Sequence, residues 1–397
     1  MPQHVPIGDD AFKFDLAALQ TGVMHPEMSS SAIYSSDKTY HHYRDDWRLF
    51  ELGEFVIHKG PLHLAEGTDE VLSWPISVTI PLEPSQTCRQ GHIQDASFVP
   101  LEADHPAHHT LPGSFYSHGE DFGSDESEDL VEYFLQAKLR YEKGHKQFDF
   151  GNHHRDHEAV RPIYLRHPIP HDDFIGIPKM FTGMNTVVSQ RLLPGMEEAD
   201  LSFKQNFQKF FHSSKVPRFQ YTLRFTVPTA LHLDDPTPLP IQLEIQLDPT
   251  GTSDSIKDVD QNIQIREIKV SIRSQTDDRA PGDWNLSGHN NEYHDKTNLN
   301  LERLFAELES PLVIHTGKRN EPIHIGNVFQ LTLHRYGLKS RNRSLQGSDF
   351  CKYGIQPSFL TYNIRHHHMM EWKISLSIAG EDTSHKYSLP VQVIGPA

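Results

Sequence analysis

The sequence predicts an all-β protein built as two tandem antiparallel, immunoglobulin-like β-sandwiches, and three observations carry that prediction. Apolar residues recur with a period of two in many short runs, which puts one set of side chains on a core face and the other toward water. Proline, glycine and polar residues separate the runs, as in antiparallel folds. Helical spacing is confined to a few stretches of two or three turns, too short to stand without packing.

The first element along the chain reads as helical. Phe12, Leu16 and Leu19 recur at i, i+4, i+7 behind Asp9 and Asp10 as caps, predicting a short helix within residues 9–21. Ile76, Val78 and Ile80 alternate behind Trp74-Pro75, with proline tolerated at the first position of a strand. Tyr133, Leu135, Ala137, Leu139 and Tyr141 form the next strand, and Phe219, Tyr221, Leu223, Phe225 and Val227 the clearest one. Ile241, Leu243, Ile245 and Leu247 follow. Ile263 and Ile265 are out of phase with Ile268, Val270 and Ile272, so Arg266-Glu267 reads either as a β-bulge or as a break between two strands. Phe329, Leu331 and Leu333, then Trp372, Ile374, Leu376 and Ile378, then Val391 and Val393 complete the set. Two further helical patterns involve Phe203, Phe207 and Phe210, and Leu301, Leu304, Phe305 and Leu308. Residues 101–129, with the acidic run Glu120 to Asp129, and residues 143–158, 274–300 and 338–356 read as mobile polar loops. The resulting division is an atypical segment 1–33, a first sandwich 34–165, and a second sandwich 166–397 carrying polar loop insertions.

Composition fits this outline. A chain of 397 residues with 36% hydrophobic content can bury two cores. Lys and Arg total 37 against 53 Asp and Glu, a formal charge of −16 that repels a phosphate backbone and argues against nucleic-acid binding. The 28 histidines mean that mild acidification cancels much of that charge. Cys88 and Cys351 are too few for a disulfide framework and suit a reducing, cytoplasmic location. The start of the chain lacks a basic n-region with an apolar run, so no signal peptide is expected, and no run of about 20 apolar residues predicts a membrane span.

Candidate chemistry is sparse. The histidine clusters are His41-His42, His108-His109, His153-His154 with His157, and His366 to His368. His153 and His157 stand i, i+4, but the segment around them has no apolar face to hold a helix and no evident third ligand. His366 to His368 read as a strand–turn–strand link. The pairs Asp45-Asp46, Asp172-Asp173 and Asp277-Asp278 read as turn or cap residues, because strand neighbours point to opposite faces. There is no Gly-x-Ser-x-Gly elbow and no phosphate-binding glycine loop. No catalytic, cofactor-binding or metal-ligating residue is assigned, and no cofactor. A His-rich metal-dependent β-sandwich or jelly-roll enzyme is the alternative.

A set of short motifs adds to this. Tyr43-Arg44, Trp47, Leu49-Phe50, the Lys59-Gly60-Pro61 loop and Trp74 to Pro81 stand in order. Leu111-Pro112-Gly113-Ser114-Phe115, Tyr133 to Leu139 and Arg161-Pro162-Ile163 follow them. Later come Leu192-Leu193-Pro194-Gly195, Leu201-Ser202-Phe203, Pro217-Arg218-Phe219, Val227-Pro228, Thr276 with Arg279, and Pro357 to Arg365. In order and spacing, over roughly residues 34–395, the chain resembles fungal arrestin-like proteins of the α-arrestin type. The resemblance implies arrestin-like N-terminal and C-terminal sandwiches and an intracellular adaptor. Such an adaptor grips cytosolic tails of membrane cargo and recruits trafficking or ubiquitin-ligase components, with at most peripheral contact with the plasma or endosomal membrane. Three departures stand beside it. Residues 1–33 lack the family's opening strands, so that residues 9–21 cover the exposed edge or the start reflects a truncated gene model. The chain has no Pro-Pro-x-Tyr motif. The buried acidic-and-basic core of visual and β-arrestins has no assigned counterpart. From charge alone, the acidic run 120–129 is expected to meet basic juxtamembrane tails, and Lys339 to Arg343 to form a solvated basic loop or to touch anionic headgroups.

Overall fold

The computed structural model describes residues 11–26, 44–51, 55–59, 73–75, 77, 79–81, 83–102, 111–120, 125–139, 157–166, 176–196, 199, 216–281, 288–316, 321–345 and 354–396. The chain divides into two compact units. Unit 1 comprises residues 1–167, 277–292 and 359–365; unit 2 comprises 168–276, 293–358 and 366–397.

The first sheet of unit 1 is antiparallel. Its strands are β1 (Ala11–Pro26), β2 (Arg44–Glu51), β3 (Phe55–Lys59), β4 (Phe115–Glu120), β5 (Asp125–Leu139) and β6 (His157–Ile163). β1 is central, paired along its length with β5 and on its other side with β2 and β3. β4 and β6 flank β5. The helix expected within residues 9–21 is therefore a strand. Phe12, Phe14 and Leu16 also fit a period of two, so the local pattern was ambiguous and the long partner β5 resolved it. β5 shows the alternation expected of it, with Asp129, Val131 and Tyr133 buried and Glu132 exposed. The described residues of 73–81 form no strand where one was expected. Pro75 and Pro81 lack the N–H that a ladder needs.

Unit 2 begins with β7 (Lys179–Val188), β8 (Arg218–Val227), β9 (Ala230–His232) and β10 (Gln242–Leu247). The long strand β11 (Asn262–Pro281) and β12 (Gly288–Asn298) contribute residues to both units. Helix α1 (Glu302–Ala306), β13 (Leu312–His315), β14 (Ile323–His324), helix α2 (Ile325–Phe329), β15 (Leu331–His334), β16 (Gly337–Ser340) and β17 (Arg343–Ser344) follow. β18 (Phe359–Leu360), β19 (Ile364–Ile378) and β20 (Glu381–Ile394) close the chain. One sheet runs β14-β10-β8-β7 and a larger one β12-β11-β19-β20-β9, with β13 on β11 and β18 on β19; β15, β16 and β17 form a small third sheet. β20 pairs with β9 in parallel, while β14 with β10, β10 with β8, β8 with β7, β13 with β11, β15 with β16, β16 with β17 and β19 with β20 pair antiparallel.

Two sheets close on one core in unit 2. β8 buries Phe219, Tyr221, Leu223, Phe225 and Val227 on one face, as its alternation predicted. Phe225 meets Trp372 of β19 edge-on, ring centroids 5.1 Å apart, and stacks on Tyr387 of β20. Each fully buried side chain of this kind contributes about 1.5–3 kcal/mol. β11 runs unbroken through Arg266-Glu267 while burial shifts from Ile263 and Ile265 to Ile268 and Val270, so the slip lies within one strand and the two-strand reading is excluded. The helix expected around Leu304 and Phe305 is α1. Phe329, expected in a strand, ends α2 instead; Gln330 takes a left-handed conformation (φ 49°) and β15 starts after it. The expected helix at Phe203 to Phe210 lies outside the described residues.

Much of what read as polar loop is strand. β4, the start of β5, the end of β11, β12, β16 and β17 fall within the segments expected to be mobile. Antiparallel strands tolerate a polar face toward water, so apolar content understated them. Ser340 and Arg343 close a two-residue hairpin in which Arg341 and Asn342 both have positive φ (48° and 69°), with Lys339 one step back opposite Ser344. Arg343 is paired with Glu307. The stretch is a tight turn rather than an open basic loop.

Candidate functional site

Segments widely separated in sequence meet in the core of unit 1. Trp47, Leu49 and Phe50 of β2 pack with Leu111, Phe115, Val131, Tyr133, Tyr362 and Ile364. Trp47 lies between His92 (3.6 Å) and Tyr362 (4.7 Å) in a near-parallel stack. Tyr133 donates its hydroxyl to the Pro112 carbonyl at 2.5 Å. The Ser114 hydroxyl accepts from the Leu165 amide at 3.0 Å and donates to the Ile163 carbonyl. The Leu-Pro-x-Ser-Phe segment, the Tyr133 strand and the Arg161-Pro162-Ile163 strand are thus tied at one place.

A buried charged cluster belongs to the same unit. Asp129 of β5 and Asp277 and Asp278 of β11 are 3%, 6% and 6% exposed. Asp129 is there because β5 alternates: residue 129 shares its inward face with Val131 and Tyr133. Arg365, at the start of β19, donates from Nε to Asp277 Oδ2 at 2.6 Å and has a second nitrogen at the same distance. Arg279 donates to the Ser97 carbonyl at 2.6 Å and lies over the Phe98 ring at 4.1 Å; the Arg365 guanidinium approaches the same ring at 5.0 Å. The Arg279 amide bonds the Asn363 carbonyl. Phe98 thus has two cations near its face, an arrangement the ring quadrupole favours.

Burial, together with the negative charges of Asp278 and Asp277, holds the Asp129 carboxyl well above the usual carboxylate range. Burial raises Asp278 to about 6, with Asp277 adding to the shift. Asp129 Oδ1 and Asp278 Oδ1 have no hydrogen-bond partner. Arg365 offsets the charge of Asp277, while burial beside Asp277 favours the protonated forms of Asp129 and Asp278. The Arg365–Asp277 pair joins the start of β19 to β11, and Arg279 joins β11 to the Ser97-Phe98 bend.

Two histidines of β19, in unit 2, are also buried. His366 and His368 are 5% and 1% exposed, their rings edge-on at 4.7 Å. The Gln356 carbonyl, 2.8 Å from His368 Nε2, can only accept, so Nε2 carries the proton and Nδ1 accepts from the Ser274 hydroxyl at 3.0 Å. His366 Nδ1 shares a hydrogen bond with Thr276 Oγ1 at 2.9 Å. Burial lowers His368 to about 4 and His366 well below its ordinary value, the neighbouring histidines adding to the latter shift. Both rings are neutral hydrogen-bonded core groups.

These sites revise several readings of the sequence. His366 to His368 are not a turn link; they continue β19, with His366 and His368 on one face and His367 on the other. Asp277-Asp278 is not a turn or cap pair but the buried interior of β11. Asp45-Asp46 lies in β2. Of the acidic run 120–129, Glu120 ends β4, residues 125–129 open β5 and Asp129 is buried, while residues 121–124 lie outside the described residues. His157 lies in β6, not on a helix with His153. His41-His42, His108-His109, His153-His154 and Asp172-Asp173 lie outside the described residues. Among the described residues no group of three or more His, Cys, Asp or Glu is placed to hold a metal ion, and no helix is long and apolar enough to cross a membrane.

No family model and no curated protein matches the chain. The cluster residues had partial signals in the sequence. Arg279 and Arg365 were motif positions, whereas Asp129 read as part of a polar acidic loop and Asp277-Asp278 as a turn or cap pair. Their meeting was not readable.

Proposed function

We propose that the chain is an arrestin-like adaptor: a non-enzymatic scaffold that binds cytosolic parts of membrane cargo in trafficking, endocytosis or ubiquitin-linked signalling. It works in the cytoplasm and is recruited to the plasma or endosomal membrane by its partners. The observation that carries this reading is the convergence in unit 1. The motif residues Trp47, Leu111, Phe115, Tyr133 and Tyr362 share one core, and the motif residues Arg279 and Arg365 share one charged cluster. Motifs that share only common dipeptides have no reason to meet, whereas motifs of one fold do. The two all-β units supply rigid sheets with loops at their ends, the form in which peptide-binding surfaces are commonly presented.

Proximity labelling with the full chain in its native cell tests the proposal. Enrichment of transporters, receptors or endocytic components over a cytoplasmic control supports it. Enrichment confined to soluble metabolic enzymes overturns it. Stoichiometric zinc, iron or copper that survives chelator washing and is lost when a histidine cluster is substituted would favour the metalloenzyme instead.

A further inference from the structure

Asp234, His334 and Thr332 form a hydrogen-bonded chain in unit 2 that the adaptor reading does not use. Thr332 and His334 stand two positions apart on β15, so both side chains leave the same face, opposite the buried Leu331 and Leu333. Asp234 Oδ1 meets His334 Nδ1, and His334 Nε2 lies 3.0 Å from Thr332 Oγ1. A carboxylate only accepts, so Nδ1 carries the ring proton. In the neutral ring Nε2 then offers a lone pair, and the Thr332 hydroxyl donates to it. Carboxylate, imidazole and hydroxyl in that order activate an oxygen nucleophile, an arrangement recognised by geometry rather than by sequence position.

The backbone fixes the chain of groups. The Asp234 amide bonds the Leu333 carbonyl and the Leu239 amide bonds the Leu331 carbonyl, each at 2.8 Å, so segment 234–239 is pinned to the residues flanking Thr332. Asp234 takes a left-handed conformation (φ 61°), one that side chains rarely adopt and that gathers at functional sites. A cation stands beside the hydroxyl. Lys339 of β16 is directly opposite Thr332 on β15. Directly opposed residues share a face with Cβ atoms about 5 Å apart, so the Lys339 ammonium can reach an oxygen formed next to Thr332. The site is open to small reagents: the His334 side chain is 20% exposed, that of Asp234 48%, and Thr332 is half-buried.

We infer that Thr332 is a covalent acyl-acceptor site that takes a small acyl group from an activated ester or thioester. Thr332 Oγ1 attacks the carbonyl carbon while its proton passes to His334 Nε2, and the resulting oxyanion lies beside the Lys339 ammonium. The bond from that carbon to the leaving oxygen or sulfur then breaks, and the leaving group takes the proton from Nε2. The product is an acyl ester of Thr332, with no change of oxidation state. Asp234 is a positioning residue: it holds the ring proton on Nδ1 and turns Nε2 toward the hydroxyl. The acceptor reacts once per acyl group, so it neither rests on the adaptor reading nor conflicts with it.

The probe is p-nitrophenyl acetate, mixed with the purified full chain at neutral pH. Release of nitrophenolate is expected with one acetyl group gained on Thr332, located by peptide mass mapping and removed by hydroxylamine, which cleaves esters and spares the amides formed on lysines. Thr332→Val is expected to lose that acetyl. His334→Gln is expected to slow it about a hundredfold through loss of the base. Lys339→Met is expected to slow it about tenfold, less than an enclosed donor is worth because water screens this one. Asp234→Asn tolerates the left-handed backbone, but its amide can donate to Nδ1 and move the ring proton to Nε2; acetylation about tenfold slower is expected, whereas a purely structural Asp234 would leave the rate unchanged. Rates are compared on variants whose circular dichroism spectrum and melting temperature match the unsubstituted chain. Acetyl on lysines alone, nitrophenolate release with Thr332 unmodified, or an unchanged Thr332 rate in His334→Gln, Lys339→Met or Asp234→Asn overturns the inference.

Discussion

Asp278→Asn tests the buried carboxylate cluster most directly. The side chain is 6% exposed and its carboxyl is raised from 3.8 to about 6, by burial first and by Asp277 after it. A tenfold change in proton affinity corresponds to about 1.4 kcal/mol, so the ionised group costs unit 1 about 3 kcal/mol at pH 7. The sign follows from linkage. Below about pH 4 the carboxyl is protonated whether folded or unfolded. Between the unfolded value and about 6 only the folded state holds the proton, so stability falls as pH rises across that window and levels off above it. Asn is neutral and nearly isosteric, so the variant is expected to stabilise unit 1 by roughly 1–3 kcal/mol at pH 7 and by almost nothing at pH 4. The measurement is urea unfolding followed by tryptophan fluorescence in a Trp372→Phe background, which leaves tryptophans in unit 1 only. Loss of stability at pH 7, or a gain of the same size at pH 4, would refute the assignment of Asp278 as a carboxylate penalised by burial.

Unit 2 is expected to respond to pH in the opposite sense. His368 is depressed to about 4, so the stability it confers is complete above its ordinary value near 6.5 and declines as pH falls toward 4, by about 3 kcal/mol at most; unfolding read from the Trp372 contribution, taken as the difference in emission between the unsubstituted protein and the Trp372→Phe variant, against the same difference with His368→Gln, checks the slope. Arg365→Ala strands the buried Asp277 carboxylate and is expected to cost about 3 kcal/mol at pH 7, whereas Arg365→Lys restores part of it; denaturant midpoints compare the two. Phe225→Ala removes a fully buried ring packed against Trp372 and Tyr387 and is expected to cost about 3–5 kcal/mol, with a blue-to-red shift of Trp372 emission on loss of its neighbour. Arg341→Gly relieves a left-handed conformation in the β16–β17 hairpin, and a gain of about 0.5–1 kcal/mol in thermal unfolding is expected.

The alternation in the sequence sufficed for the strands that form the core of unit 2. Phe219 to Val227 reads as one buried face because a strand returns every second side chain to the same side, a property of the backbone that needs no partner. The same rule failed where local periods compete. Phe12, Leu16 and Leu19 satisfy a helical repeat and Phe12, Phe14 and Leu16 a strand repeat, and only pairing with β5 separates them. It also failed where strands are polar, as in β12 and the end of β11, since their residues are chosen for a wet or charged face.

By itself the sequence determined the fold class, the inward registers of the apolar strands, and the types of residue available for charge and proton chemistry. Tertiary structure alone decided which of them meet. Asp129 and Asp277 are 148 positions apart by number, and Arg365 lies 88 beyond Asp277. Their proximity, and the shifted proton affinities that come with it, arise from burial in a shared medium of low dielectric. That is a property of the packed assembly, and no local spacing encodes it.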